Sequence, residues 1–269
     1  MANSSSSKSQ SRYKALIEKI FFDHYKENDT LIEFERNELE SAAKLLEITL
    51  PKNLGDVIYS IRYRTPMPES ILSIQPKDME WIIIGVGRSR YAFKLVRLNR
   101  IAPNPDLAVT KIPDATPEII SNYSLSDEQA LLAKVRYNRL IDIFLGISVY
   151  SLQNHLRTTV KDIGQIEIDE VYVGIDKQGN HYIIPVQAKT GNDQLSVVQT
   201  KQDVDCCSEK FQNLICRAIS TQFMEDDLIA IFELTVEDDE VRIIEERHYK
   251  LVPAKEITSH DLQKYKYRN

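Results

Sequence analysis

Residues 164–191, GQIEIDEVYVGIDKQGNHYIIPVQAKTG, combine two β-rich runs with a short polar segment between them. The runs QIEIDEVYVGI and HYIIPVQAK contain many Ile, Val and Tyr residues, which favour strands. The segment DKQGN (176–180) contains the Asp, Gly and Asn residues that are typical of tight turns. The stretch therefore predicts a β-hairpin in the C-terminal half of the chain.

A turn centred on Gln178 determines which residues of the two strands face each other. It pairs residues whose numbers add to 356, so that Asp169 lies opposite Gln187 and Glu167 lies opposite Lys189. Side chains alternate between the two faces of a strand, and these four residues therefore share one face. Directly paired Cβ atoms are about 5 Å apart, which lets two side-chain oxygens bind one divalent cation.

The apolar alternation changes phase after Asp169, because Ile166 and Ile168 precede it whereas Val171 and Val173 follow it. One extra residue in a strand produces such a change, so we expect a β-bulge at this point. The direct pairing of residues beyond Asp169 depends on the geometry of that bulge.

Helices are predicted on both sides of the hairpin. Residues 126–129 (SDEQ) have the spacing of a capping box, and apolar residues at helical spacing continue to about Gly146. The next segment, 148–160, is expected to contain more helix. After the hairpin we expect a helix that begins near Ser196 and further strands over 214–223, 228–236 and 241–252. The predicted class is α/β, with a mixed sheet between helices.

The N-terminal part shows a different order of elements. Apolar spacing predicts a helix over 11–26, a strand at 31–34, a helix ending near Leu46, a third helix around Val57–Ile61, and a hairpin of 81–87 with 91–98. This is the order of a winged helix, whose third helix enters the major groove of DNA while the hairpin contacts phosphates.

Basic residues lie at both places that a winged helix would present to DNA. Arg62 and Arg64 lie on the third helix, and Arg88 and Arg90 lie at the tip of the hairpin. The sequence therefore predicts a small winged-helix-like α+β domain over residues 11–100. The alternative is an ordinary α+β domain of the same size with solvated arginines.

Composition divides the chain at a proline-rich segment. Residues 1–10 predict a disordered tail, and residues 101–124, with four prolines, predict a linker to a second domain over 125–269. The net charge is −6, but residues 1–112 hold 17 Lys/Arg against 14 Asp/Glu, and residues 113–269 hold 17 against 26. These portions therefore carry charges of +3 and −9, and the first has the sign expected of a surface that binds DNA.

The sequence also excludes several classes of protein. Cys206, Cys207 and Cys216 are odd in number and lack CxxC spacing, so they predict reduced thiols rather than a disulfide framework or a zinc site. No apolar run is long enough for a membrane span, and no GxxxxGK[ST] or GxGxxG motif predicts a nucleotide cofactor. We expect a cytoplasmic protein.

The acid in EIDE (Asp169), the turn, and the apolar strand that ends in Gln187-Ala188-Lys189 resemble the PD-(D/E)xK nuclease superfamily, which contains most type II restriction endonucleases. The resemblance covers about residues 125–235 and implies a restriction-endonuclease-like core, with a mixed sheet and helices on both sides. It also implies that Asp169 binds Mg²⁺, for which Mn²⁺ can substitute, and that Lys189 helps to position or activate the attacking water.

The chain departs from the family pattern at Gln187, where the family usually has Asp or Glu. An amide oxygen can bind a metal but brings no negative charge, so another acid must supply that charge. The resemblance offers Asp203, on the helix after the lysine strand, and Glu128, on the helix before the hairpin. Glu167 is a third candidate from the pairing of the hairpin, and each of these acids has an ordinary alternative role at the surface.

These features together predict a Mg²⁺-dependent endonuclease that hydrolyses phosphodiester bonds of double-stranded DNA. The simplest form is a type II site-specific restriction enzyme that acts as a homodimer, because cutting both strands requires two active sites. Two alternatives stay open: a structure-specific repair or junction nuclease on the same scaffold, and a DNA-binding regulator whose nuclease-like domain has lost activity through Gln187.

Overall fold

The structure is a computed structural model that describes residues 3–63, 65–77, 79–97, 101–123, 128–161, 163–190, 197–237 and 240–266. Its contacts divide the chain into two compact units. The first contains Met1–Leu98 and the short segment Lys161–Gly164, and the second contains Asn99–Val160 and Gln165–Asn269. The described residues include no helix that is both long and apolar enough to cross a membrane.

The first unit contains four helices and a three-stranded sheet in its described part. In chain order the elements are α1 (Asn3–His24), β1 (Leu31–Glu35), α2 (Glu38–Leu45), α3 (Gly55–Tyr63), α4 (Glu69–Ile74), β2 (Met79–Gly87) and β3 (Arg90–Arg97). The strands are antiparallel in the order β1-β3-β2. Phe21 of α1 packs edge-on against Trp81 and Phe93, so that aromatic rings join the first helix to the sheet.

The predicted order of helix, strand, helix, helix and hairpin is present in this unit, with the short helix α4 in addition. The tail over residues 1–10 differs from the prediction, because α1 begins at Asn3. Once a helix is nucleated by buried residues such as Ile17 and Phe21, each further turn is added at little cost, and the serine-rich segment contains no Gly or Pro to stop it.

The second unit is built on an eight-stranded mixed sheet. Its elements are β4 (Val109–Pro113), α5 (Glu118–Tyr123), α6 (Glu128–Tyr137), α7 (Leu140–Leu145), β5 (Ser148–Val160), β6 (Gly164–Ile175), β7 (His181–Lys189), α8 (Val197–Lys210), β8 (Ile215–Cys216), β9 (Ala218–Phe223), β10 (Leu228–Glu237), β11 (Glu240–Val252) and α9 (Ser259–Lys266). The strand order is β4-β11-β10-β9-β7-β6-β5, with β8 also paired to β7. The pairs β7–β9, β7–β8 and β4–β11 are parallel, whereas β6–β7, β9–β10 and β10–β11 are antiparallel.

Helices cover both faces of this sheet. Residues of α6 and α7 pack against Tyr172, Ile184 and Val186 on one face. On the other face Val197 and Val204 of α8 pack against a cluster formed by Ala218, Phe232 and Leu234. The α/β class and the mixed sheet flanked by helices are therefore confirmed.

The predicted linker over 101–124 is wrong, because its residues belong to the second unit. Strand β4 pairs in parallel with β11, and α5 begins immediately after Pro117. Proline is compatible with these positions: Pro113 ends an edge strand, and Pro117 precedes a helix whose first amide groups bond to its carbonyl. The prolines therefore mark the ends of elements rather than an unstructured connection.

The structure also differs from the two helices that the sequence predicts before the hairpin. The helix expected to run to Gly146 is divided into α6 and α7 at Arg139, whose backbone is left-handed with φ 51°. Two of the four residues of its predicted start, 126 and 127, lie outside the described part, and α6 begins at Glu128. The segment 148–160 is not helical but forms β5, because pairing with β6 at the sheet edge overrides its local pattern.

A buried ion pair attaches α6 to the sheet. Glu170 of β6 is completely buried, and its Oε1 accepts hydrogen bonds from Arg136 Nε at 2.8 Å and from Ser151 Oγ at 2.7 Å. Removing one partner of such a pair leaves an uncompensated charge in the protein interior. Glu170 points to the α6 side of the sheet, so its neighbour Asp169 points to the opposite side.

We predict that Arg136→Met lowers the free energy of unfolding by about 3–5 kcal/mol, because the Glu170 carboxylate stays buried without its cation. Urea unfolding followed by circular dichroism measures the change. The control is Arg247→Met, since Arg247 and Glu245 form an exposed ion pair that contributes at most about 1 kcal/mol. Equal losses in the two variants would contradict the structural role of Arg136.

Candidate active site

The hairpin β6–β7 has the register that the sequence predicts. Its ladder pairs residues from Ile175 with His181 to Glu170 with Val186, and in each pair the two numbers add to 356. The described ladder ends there, so it contains neither of the predicted pairs Asp169–Gln187 and Glu167–Lys189. Beyond this point the backbone amide of Ala188 donates to Asp169 Oδ2 at 2.9 Å.

Strand β7 continues past the ladder because β9 supports it from the other side. Gln187 aligns with Ser220, and Lys189 aligns with Gln222, in a parallel pairing. Thr221 Oγ1 also donates a hydrogen bond to the Gln187 carbonyl at 3.3 Å. The end of β7 is therefore held in place although β6 no longer pairs with it, and Gln187 and Lys189 stay on one face.

Asp169 lies half-buried on β6, on the face that α8 covers. Burial raises the pKa of its carboxyl group, and the nearby charge of Glu167 raises it further. The hydrogen bond from Ala188 and the charges of Lys189 and His155 lower this pKa and oppose that increase. An additional cation beside Asp169 would stabilise the ionised form further.

Gln187 connects the strand to a second acid on α8. Its side chain is 2% exposed, and its Nε2 donates to Asp203 Oδ2 at 2.9 Å and Oδ1 at 3.2 Å, and to the Glu167 carbonyl at 3.2 Å. The Oε1 atom of the same amide is buried and has no hydrogen-bond partner among the described residues. A buried acceptor of this kind costs free energy unless a ligand or water binds it.

Asp203 is 3% exposed and is the second carboxylate of the cluster. Burial raises the pKa of its carboxyl group well above the ordinary value, and the charges of Asp169 and Cys216 raise it further. The hydrogen bonds from Gln187 and the charge of Lys189 lower the pKa and partly oppose this increase. The sequence-based candidate on α8 is thus brought to the strand motif by two direct hydrogen bonds.

This arrangement explains why position 187 is occupied by an amide and not by a carboxylate. A carboxylate there would be a third anion next to two carboxyl groups that are already partly or fully desolvated. The neutral amide instead donates to Asp203 and leaves its oxygen for another partner. The second carboxylate of the cluster therefore comes from α8 and not from β7.

These donors fit a magnesium ion. Mg²⁺ is usually held by one or two carboxylates and keeps several waters or substrate oxygens, and this cluster offers Asp169, Asp203 and the Gln187 Oε1 atom. The described residues contain no group of three or more His, Cys, Asp and Glu side chains suited to a metal, which excludes a cage of that composition in this part of the chain. The fit therefore depends on the amide oxygen and the two acids.

The other predicted acids lie in different surroundings. Glu128 is the first residue of α6, and no hydrogen bond or ion pair of the described residues joins it to Asp169 or Lys189. Glu167 instead contacts two side chains of β5: His155 Nδ1 lies 3.2 Å from its Oε1, and Arg157 Nε lies 3.1 Å from its Oε2. The sequence does not predict these neighbours, because it assigns helix to the segment that contains them.

The four arginines predicted to bind DNA also differ in their surroundings. Arg62 donates from Nε to the Ile83 carbonyl at 2.8 Å and lies over the ring of Tyr91 at 5.6 Å from its centroid, so it holds α3 on the sheet. Arg88 is exposed in the turn between β2 and β3, and Arg90 is exposed and forms an ion pair with Glu33. Arg64 lies outside the described residues.

We predict that Arg62→Ala lowers stability, whereas Arg88→Ala does not. Loss of the hydrogen bond to Ile83 and of the contact with Tyr91 should cost about 1–3 kcal/mol in thermal or urea unfolding. Arg88→Ala should leave unfolding unchanged and weaken DNA binding with a smaller dependence on salt. DNA binding by Arg88→Ala that equals that of the unchanged protein would argue against a role of the hairpin tip.

We also predict that Asp203→Asn stabilises the metal-free protein at neutral pH by a few degrees in melting temperature. The folded state raises the pKa of Asp203, so the folded state holds more protons than the unfolded state between the two pKa values. Stability of the unchanged protein in EDTA should therefore fall as the pH rises from the ordinary aspartate pKa through the raised one. The variant should show a flatter dependence, because asparagine keeps an acceptor for Gln187 without the charge.

Addition of MgCl₂ provides a second measurement on the same variants. Mg²⁺ should raise the melting temperature of the unchanged protein, because a ligand of the folded state stabilises it, and should have little effect on Asp203→Asn. Asp205→Asn is the matched control, since it removes an exposed carboxylate from the same helix. Equal responses of Asp203→Asn and the unchanged protein would rule out Asp203 as a ligand.

Comparison of the chain with protein-family models, with curated proteins and with solved structures finds no match. The interpretation of the site therefore depends on its own geometry. That geometry brings together Asp169, Gln187 and Asp203, and it places Lys189 on the same face of β7 as Gln187. Glu128 has no described contact to them.

Proposed function

We propose that this protein is a Mg²⁺-dependent endonuclease that hydrolyses phosphodiester bonds of double-stranded DNA. The observation that carries the proposal is the convergence of Asp169 and Gln187 with the buried Asp203, at a strand end that also carries Lys189. The Gln187 amide oxygen in this cluster has no hydrogen-bond partner among the described residues. The flanking elements agree with the resemblance to the PD-(D/E)xK nucleases, since α6 and α7 precede the hairpin and α8 follows it.

Each side chain of the cluster has a definite role in this proposal. Asp169, Asp203 and the Gln187 oxygen would hold the metal, and the metal would supply charge neutralisation at the phosphodiester and a more acidic bound water. Lys189 lies two residues after Gln187 on the same face of β7, and its charge lowers the pKa values of both acids. It would stabilise the charge that develops on the phosphate oxygens and orient the attacking water.

Gln187 acts on the second acid in addition to offering its oxygen. Its amide holds the Asp203 carboxylate with two hydrogen bonds and carries no charge of its own. The neutral side chain keeps two carboxylates and one ammonium group in the cluster, a net charge of −1 that suits a divalent cation next to a phosphate.

Recognition of DNA is assigned in this proposal to the first unit. Arg88 and Arg90 at the β2–β3 turn are exposed and basic, as a contact with phosphates requires. A type II restriction enzyme that acts as a homodimer in the cytoplasm of a prokaryotic host is the form that we propose, because duplex cleavage needs two active sites. Mn²⁺ is expected to substitute for Mg²⁺.

We predict that the protein cuts mixed-sequence duplex DNA into discrete fragments when MgCl₂ is present and not in EDTA. Asp169→Ala and Lys189→Ala should each lower the cleavage rate by about 100-fold or more, through loss of metal binding and of charge stabilisation respectively. Glu128→Ala should cleave at nearly the rate of the unchanged protein. The rates are measured by gel electrophoresis of plasmid and linear substrates.

The pattern of products separates the proposed function from its alternatives. Cleavage of branched substrates alone would indicate a junction or repair nuclease instead of a restriction enzyme. Binding of DNA without cleavage in Mg²⁺ or Mn²⁺ would indicate a DNA-binding regulator with an inactive site. Full activity of both Asp169→Ala and Lys189→Ala would mean that these residues take no part in cleavage.

A further inference from the structure

Strand β5 lies at one edge of the eight-stranded sheet, with β6 as its neighbour in the strand order. Six consecutive residues of it, 150–155, are exposed, and Arg157 is 67% exposed. A strand of 13 residues with so much accessible surface is unusual at a sheet edge, because unpaired backbone groups invite other chains to pair. This surface therefore needs a partner or a protective device.

The charge of β5 contrasts with that of the chain around it. Strand β5 contains His155 and Arg157 and no Asp or Glu, although residues 113–269 carry a net charge of −9. The other polar side chains of the strand are Ser, Gln, Asn and Thr, which donate hydrogen bonds to phosphate oxygens. The strand is thus a basic strip in an acidic unit, and its charge is complementary to a polyanion.

His155 and Arg157 of the strip lie directly beside the proposed active site. His155 and Arg157 both bind Glu167, which is two residues before Asp169 on β6. His155 is near enough to Asp169 for its charge to lower the pKa of that acid. The backbone of His155 is left-handed, with φ 48°, a conformation that costs free energy in a residue other than glycine and that accumulates at functional sites.

We propose that β5 is the surface on which the nuclease unit holds the DNA strand that it cuts, with Arg157 and His155 as the residues that contact its phosphates. Glu167 contacts these two side chains in the free protein and so competes with the phosphates for them. The inference rests on the proposed function, since it names the side from which the substrate reaches Asp169. The partner is a phosphodiester backbone rather than a base, so the contacts carry no sequence preference.

The first experiment measures the affinity of a fluorescein-labelled duplex in EDTA, where no cleavage occurs. Arg157→Ala should weaken binding about tenfold near 0.1 M salt, and the slope of log K against log salt should fall by about one, as expected for the loss of one phosphate contact. His155→Asn should have a smaller effect in the same direction, because asparagine tolerates the left-handed backbone and keeps a hydrogen-bond donor.

The matched control is Arg242→Ala, which removes an exposed arginine that is ion-paired with Glu237 on the β10–β11 side of the same sheet. Its affinity and salt dependence should equal those of the unchanged protein. Glu167→Gln gives a test in the opposite direction: it removes a negative charge beside Arg157 and His155 and should tighten binding several-fold. Weaker binding by Glu167→Gln would overturn the role assigned to Glu167.

Cleavage kinetics in Mg²⁺ then test the position of the contact. Arg157→Ala should raise KM about tenfold and change kcat much less, because the contact is present in both the bound substrate and the transition state. If the unchanged protein cuts DNA and Arg157→Ala binds and cuts equally well, the inference is overturned while the proposed function stands. If the unchanged protein never cuts, but Arg157→Ala still loses affinity, β5 binds DNA and the proposed function fails.

One further outcome concerns a different partner of the same edge. Sedimentation of the unchanged protein and of Arg157→Ala determines whether copies of the chain associate through β5. Association that is lost in Arg157→Ala, together with unaltered DNA binding, would make this edge an interface between copies and overturn the inference.

Discussion

The hydrogen bonds between the Gln187 amide and the buried Asp203 carboxylate are the interaction on which the arrangement of the second unit depends. A carboxylate can be buried only if its lost hydration is replaced, and the two bonds from Nε2 replace part of it. They also attach α8 to the end of β7, where β6 no longer pairs. The same amide thereby holds a helix on the sheet and completes a polar cluster.

Local signals were sufficient to predict the central hairpin. The turn at 176–180 sets the register, and the observed pairing of Glu170 with Val186 follows from it directly. The candidate residues Asp169, Gln187 and Asp203 lie close together for the same reason. Their positions depend on the alternation of side chains along the hairpin and on the place of one helix, and few residues determine either. Glu128 has no such constraint, because its place depends on the packing of α6 against the sheet.

Long-range pairing explains what the sequence did not predict. Segment 148–160 resembles a helix in its local pattern, yet β6 provides a strand edge that it joins as β5. The partners of Glu167 on that strand, His155 and Arg157, were therefore not predicted either. Prolines between 101 and 124 suggested a linker, but β11 pairs with this segment from more than a hundred residues away.

Residues 161–164 belong to the first unit although they lie between two strands of the second, and this restricts how the two units can be exchanged in evolution. The chain passes from one unit to the other at three places, next to residues 98, 160 and 164. Within the first unit, Gly85 lies so close to the Ile163 carbonyl that a Cβ atom would be 2.4 Å from the oxygen, so that a larger residue does not fit there. No single division of the gene therefore encodes each unit in full. Recombination that replaces the first unit must also replace the β5–β6 connection.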